Sequence, residues 1–214
     1  MAKLAKVFVQ GRSYRGITQN VFRSAQDYVV TDSLKSADIV VWTGGEDINP
    51  SLYNENPIPG TIWTDRDAED LEALSEAYDA KKFLVGICRG AQILNVIPNG
   101  GSLWQDVNNH GARNHRIFDC ITGTWQMVNS IHHQALRVTD EAQIIAWAQE
   151  STRKESEKIT WNLKDGYKSE VDKDIEAVWY PKTRSLLVQF HPEFGDKRTT
   201  EYFFNLMNKF YWNI

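Results

Sequence analysis

The heptapeptide Gly86-Ile87-Cys88-Arg89-Gly90-Ala91-Gln92 sets a cysteine among small residues. An apolar run, Phe83-Leu84-Val85, leads in, and a helix-compatible run, Ala91-Gln92-Ile93-Leu94-Asn95-Val96, leads out. This is the pattern of a nucleophile elbow with sulfur in place of a hydroxyl. Glycines beside the cysteine let the chain turn where a β-carbon would clash. The turn lifts the thiol out of the sheet and places it at a helix N-terminus, where unpaired N–H groups and the macrodipole favour thiolate. A free thiol titrates near ~8.5, so such a setting makes Cys88 usable as a nucleophile at neutral pH.

A thiol nucleophile needs a base, a group that orients the base, and an oxyanion hole. His191-Pro192-Glu193, after the last apolar run, offers the first two, with a base and a carboxylate two residues apart. Arg89 follows the nucleophile directly and can give its backbone N–H to an oxyanion. Gly45 can give a second if the strand carrying Trp42 lies beside the elbow strand. Other histidines admit a metal reading. His110, His115 and Cys120 recur every five residues, with His132 and His133 beyond them. Imidazole and thiolate suit zinc, yet this spacing matches no zinc-ligand pattern, so no metal ligand is expected here. His110 reads as a loop residue beside the cleft. If His132 and His133 are extended, only one of them faces the site.

Four segments occur in a fixed order: Thr43-Gly44-Gly45-Glu46-Asp47-Ile48-Asn49-Pro50, the elbow, Asn129-Ser130-Ile131-His132-His133-Gln134, and Gln189-Phe190-His191-Pro192-Glu193. Together they resemble the class I, or triad, glutamine amidotransferases, and within these the γ-glutamyl-γ-aminobutyrate hydrolase branch, the peptidase C26 group. The resemblance spans about residues 38–193. It implies an α/β, three-layer, flavodoxin-like fold with a mostly parallel sheet flanked by helices. It implies Cys88 as nucleophile, His191 as general base and acid, and Glu193 as the orienting carboxylate, with Gly45 and Arg89 as oxyanion N–H donors. Gln92 resembles the glutamine that touches the bound γ-glutamyl group. The segment around His132 resembles the one holding the substrate's α-amino and α-carboxylate end. Asp47 is the weakest substrate-contact candidate, since a turn former would look the same.

The implied reaction attacks the γ-amide of glutamine or of a γ-glutamyl amine, through a γ-glutamyl thioester on Cys88, with no metal or organic cofactor. Two other readings stay open: a glutaminase subunit passing ammonia to a separate synthetase or amidoligase, and a catalytically silent binding module. The region before Gly44 is short for a γ-glutamyl hydrolase, which implies a trimmed N-terminal helix.

The elements that must position these residues follow from pattern. Lys6-Val7-Phe8-Val9-Gln10 and Asp38-Ile39-Val40-Val41-Trp42 read as strands, the second buried on both faces. Thr64 caps a helix whose Asp65, Asp67, Glu69 and Asp70 complement the dipole, with Leu71, Leu74 and Tyr78 facing a core. Strand, helix, strand, helix argues for right-handed crossovers and a parallel sheet. Residues 128–138 and 144–148 read as strands or strand-edge segments with polar turns, and residues 150–174, dense in charge, as a surface loop, exposed hairpin or insertion. Two apolar runs around Pro181-Lys182-Thr183-Arg184 form a hairpin. Phe203, Leu206, Met207 and Phe210 line one face of a last helix.

The 214 residues suit one α/β domain over residues 1–214. A net charge of −4 argues against nucleic acid as the main partner, since phosphate binding wants a basic face, and no apolar run approaches a membrane span. Two cysteines and no apolar leader fit a reducing, cytoplasmic setting. The expected partner is a small γ-glutamyl molecule, with a homo-oligomer left open.

Overall fold

The computed structural model describes residues 4–107, 110–111, 113–148, 167–168, 173–194 and 196–213. Its centre is a parallel sheet of β1 (Ala5–Gln10), β2 (Tyr28–Val30), β3 (Ile39–Trp42), β4 (Phe83–Ile87) and β12 (Ser185–Val188), in the order β2-β1-β3-β4-β12. Taking β12 as the fifth strand, this is the 2-1-3-4-5 order of flavodoxin-like folds. β3, β4 and β12 are buried at every residue, as parallel strands covered on both faces must be. Alternation then divides their side chains between two cores. Ile39, Val41, Phe83, Val85, Leu186 and Val188 pack toward one face, and Val40, Trp42, Leu84 and Leu187 toward the other.

Helices cover each face. The first core takes Phe203, Leu206 and Met207 of α4 (Lys197–Met207) and Ile17, Val21 and Phe22 of a short helical passage over residues 14–24 that opens with α1 (Tyr14–Gly16). Asp196 caps α4, its carboxylate accepting from the Arg198 and Thr199 N–H groups. The second core takes Leu74 and Ala77 of α2 (Arg66–Asp79) and Ala91, Ile93, Leu94 and Val96 of α3 (Arg89–Val96).

Beyond β12 the sheet turns antiparallel. β11 (Asp174–Tyr180) pairs with β12 and with β9 (Gln143–Ala148). β9 pairs with β6 (Arg113–Asp119), which pairs with β7 (Thr124–Ser130). β8 (Ala135–Thr139) pairs with β5 (Ser102–Trp104), β10 (Tyr167–Lys168) and β11.

Several sequence expectations change. Residues 128–138 keep their reading as strand segments but are split by residues 131–134 into the end of β7 and most of β8. α2 begins one residue later than expected. Asp65 takes the cap position, and Thr64 Oγ1 accepts from the Arg66 N–H at 3.4 Å. Tyr78 is exposed rather than in the core. Asp67 and Asp70 are buried, because each meets a guanidinium rather than solvent. Of the charged stretch at 150–174, residues 150–166 and 169–172 lie outside the described residues. Its end is corrected: Asp174 opens β11 and is fully buried, because its carboxylate meets His110. Among the described residues, no helix is long and apolar enough to cross a membrane.

Candidate active site

Because β3, β4 and β12 are neighbours and parallel, the segments leaving their carboxyl ends meet. These are the three that carry Gly44-Gly45, Cys88 and His191-Pro192-Glu193, and this edge is where such sheets bind ligands. Cys88 links β4 to α3 with φ +51° and ψ −111°. A β-carbon at positive φ costs roughly 1–3 kcal/mol, which the surrounding structure must over-determine. The neighbouring glycines permit it. A Cβ on Gly86 would lie 2.5 Å from the Ala91 backbone, and one on Gly90 would run into the Trp42 carbonyl of β3.

His191 is buried and faces both partners. Its Nδ1 lies 2.9 Å from Glu193 Oε1, and its ring is within hydrogen-bonding reach of the Cys88 side chain. Burial works against a charged ring here, but Cys88 and Glu193 outweigh it and raise the His191 pKa from 6.5 to about 10. The ring sits so close to the β3 turn that a Cβ on Gly44 would come within 2.6 Å of Cε1. The Asn129 side chain on β7 pins the backbone, accepting from the His191 N–H and donating to its carbonyl, both at 2.8 Å. On the other side, the Phe194 ring stacks on the imidazole at 5.4 Å. The helical passage at 14–24 backs Glu193, with Asn20 Nδ2 donating to the Glu193 carbonyl.

Beneath the elbow lies a buried charge network that the dipole reading of α2 misses. Arg89 pairs with Asp67 and Asp70, and Arg66 Nε lies 3.2 Å from Asp70. Arg66 also donates to the Gly44 carbonyl at 2.8 Å and to the Thr43 carbonyl at 3.0 Å. In a trans peptide the N–H opposes the C=O, so holding the Gly44 carbonyl turns the Gly45 N–H away from Arg66. Asp67 in turn accepts from the Asn49 N–H at 2.9 Å, tying down the loop after Gly45. The sequence signal was Arg66, Asp67 and Asp70 within one helical turn plus an arginine after the nucleophile.

The model of the peptidase C26 family matches residues 12–193. The chain belongs to this family. Protein NtpR of Enterococcus hirae is 33% identical over 124 residues, covering 47% of this chain and 51% of that protein. The glutamine amidotransferase-like YvdE homolog of Lactococcus lactis subsp. cremoris is 34% identical over 130 residues, covering 50% of this chain and 68% of that protein. The match thus spans about half the length of NtpR. A glutamine amidotransferase from Thermotoga maritima has the same fold, with a TM-score of 0.58 at 14% identity over 98% of this chain and 86% of that one.

In this peptidase C26 chain the substrate-contact candidates part ways. Gln92 is buried in the first turn of α3, and its amide reaches toward the Gln134 carbonyl at 3.5 Å. That carbonyl also receives Gln189 Nε2 at 3.2 Å and His132 Nδ1 at 2.8 Å. Asp47 pairs with His133, its Oδ1 2.9 Å from Nε2, and accepts the Ile62 N–H. The half-exposed ring of the histidine pair is therefore His133, on the side of the Asp47 loop, whereas His132 is buried and turns inward.

His132 joins a group the sequence does not announce. Its Nε2, His110 Nδ1 and His115 Nε2 approach Glu176 Oε1 at 3.4, 3.2 and 3.4 Å. His110 lies in the connection between β5 and β6, as expected, but it is buried, with Nε2 2.8 Å from Asp174. Burial disfavours charge on all of them. It leaves His132 below its ordinary pKa despite Glu176, whereas the Asp174 and Glu176 carboxylates overcome it and raise His110 to about 9. Three rings likewise overcome burial at Glu176 and hold its carboxyl well below the usual range.

Proposed function

We propose that this chain hydrolyses γ-glutamyl amides, glutamine or γ-glutamyl amines, through a γ-glutamyl thioester on Cys88. The observation that carries the reading is the strained Cys88 elbow facing a His191 ring backed by Glu193, in a chain of the peptidase C26 family. With His191 protonated, sulfur attacks the γ-carbonyl carbon and the amide oxygen takes the negative charge between the Gly45 and Arg89 N–H groups. The C–N bond breaks and the amine leaves with the His191 proton. Water then gives a proton to His191 and attacks the thioester carbon. The C–S bond breaks, and glutamate leaves the regenerated thiolate and imidazolium. Glu193 orients the ring and stabilises its charged form without reacting. Gln92 and the 131–134 segment are the proposed glutamyl contacts, with Asp47 setting the loop beside them. A content of two cysteines, Cys88 and Cys120, suits a reducing cytoplasm.

The test is a screen of γ-glutamyl amides with the isolated full chain, reading free glutamate and released amine together. Release of both in equal amounts from at least one γ-glutamyl amine supports the reading. Turnover that appears only with an added synthetase would instead make the chain an ammonia donor. No turnover by a folded chain, with or without a synthetase, overturns the enzymatic reading.

A further inference from the structure

We propose that His110, His115, His132 and Glu176 bind one divalent transition-metal ion, zinc by their chemistry, as a structural centre behind the candidate active site. The donor atoms of His110, His132 and Glu176 lie within 4.8 Å of one another, and His115 Nε2 comes to 3.4 Å from the same carboxylate oxygen. The three nitrogen-to-Oε1 separations, 3.2, 3.4 and 3.4 Å, match the edge of a tetrahedron. Zinc bonds of about 2.0–2.1 Å place donors about 3.3–3.4 Å apart.

Hydrogen bonding alone leaves this cluster unsatisfied. His115 Nε2, His132 Nε2 and both Glu176 carboxylate oxygens are buried without a hydrogen-bond partner, so their close approaches are misaligned for proton sharing. Glu176 and His132 are both more than nine-tenths buried, where orphaned polar atoms are rare and call for an explanation.

The outer contacts fix which ring nitrogens are bare. The Gln134 carbonyl can only accept, so His132 Nδ1 carries the hydrogen and a neutral ring points its Nε2 lone pair at Glu176. The Asp174 carboxylate accepts the His110 Nε2 hydrogen in the same way, so Nδ1 faces inward and becomes a ligand atom once its own proton is released, as metal binding requires. A ring held from outside by a carboxylate or a carbonyl, with its other nitrogen turned to a shared centre, is the habit of metal-bound histidine. Bare lone pairs facing a carboxylate oxygen repel unless a cation lies between them.

Charge gives the same answer. With the rings neutral, as ligands must be, buried Glu176 brings negative charge into the interior, and a divalent ion among the rings offsets it. Three imidazoles and one carboxylate suit zinc better than magnesium or calcium, which prefer oxygen. Four protein ligands leave no open position, so the ion would be structural. Its ligands tie β6 and the segment after β7 to β11. β7 carries Asn129, which pins His191, and the Glu176 carbonyl accepts from the Gln189 N–H two residues before His191. Linear spacing hides such a centre, because His110 and His115 meet His132 and Glu176 only across long separations in the chain.

The test uses the full chain purified without added metal and needs no activity readout. One equivalent of zinc by elemental analysis is expected. Stripping with a chelator should lower Tm by about 10 °C, and zinc should restore it. Cobalt(II) should give the intense ligand-field bands of a tetrahedral site. Glu176→Gln should lose the bands. His115→Ala, which changes the least buried ligand and should fold, should weaken zinc binding at least about 10-fold. A folded wild-type chain that holds under a tenth of an equivalent, with Tm unmoved by chelator or zinc, overturns the proposal. So does zinc binding that both variants leave unchanged.

Discussion

The Cys88 region and the His110–Glu176 region are both made of imidazole set against carboxylate, yet they are wired in opposite ways. At the parallel edge of the sheet, His191 has one partner for each side of its ring: Glu193 at 2.9 Å behind it and Cys88 in front. Under the proposed mechanism a proton there has one path, from sulfur to ring to substrate. In the antiparallel extension, three rings converge on one oxygen of Glu176, and most of the facing atoms lack a hydrogen-bond partner. No such single path exists among those rings. Pairing one ring with one carboxylate directs chemistry, whereas crowding several rings around one carboxylate builds a socket. The regions are joined through Asn129 and through the β11–β12 ladder, so the socket can steady the first site without reacting.

The contrast breaks most sharply at sulfur. Cys88→Ala should abolish turnover, a loss of at least ~10⁴-fold, with the fold retained. Steady-state glutamate release and far-UV circular dichroism check both halves.

Glu193→Gln should cost roughly 10²–10⁴-fold, because the ring loses its orienting charge. It also tests the pH dependence. Folding raises His191 from 6.5 to about 10, so the protonated ring stabilises the fold fully below 6.5. That contribution fades as pH rises through about 10. The alkaline limb of kcat/KM should therefore lie near pH 10 in the wild type and move toward neutrality in Glu193→Gln. An unmoved limb would mean that Glu193 does not hold the proton.

Asp70→Asn should act on stability before chemistry. Removing one carboxylate leaves Arg66 and Arg89 sharing too little negative charge in the interior, a cost of about 3–5 kcal/mol. At roughly 2–4 °C per kcal/mol for a chain of this size, Tm should fall by about 10 °C. The rate should fall too, since Arg66 holds the carbonyl opposite the Gly45 N–H. The smallest effect belongs to Asp47→Asn. Its His133 partner is half exposed, so stability should change by less than ~1 kcal/mol, and any kinetic change should appear in KM rather than kcat.

How far each region is legible in the sequence follows the same contrast. The parallel core is readable because strands covered on both faces are written as continuous apolar runs, as in Ile39–Trp42 and Phe83–Ile87. The triad candidates are readable because an elbow and a strand-end His-Pro-Glu are local patterns. The antiparallel extension is readable only in part: residues 144–148 and the hairpin around residues 181–184 show as strands, but β6 does not. β6, Arg-Asn-His-Arg-Ile-Phe-Asp, carries little apolar signal, and one of its polar residues, His115, turns toward Glu176. The histidine socket and the Arg66–Asp70–Arg89 network are illegible for a related reason. Their members are ordinary surface residue types until folding over long separations pairs them. Asp67 and Asp70 read as dipole partners because nothing in α2 alone reveals the arginine that waits beyond β4.

The most direct test of the central claim is an acid quench of the wild-type chain during turnover of a γ-glutamyl amide, followed by peptide mapping. The account predicts a γ-glutamyl group on the Cys88 peptide, discharged by hydroxylamine and absent from Cys88→Ala. Sustained glutamate release from an enzyme whose Cys88→Ala variant remains as active, or an adduct on any other residue, would contradict it.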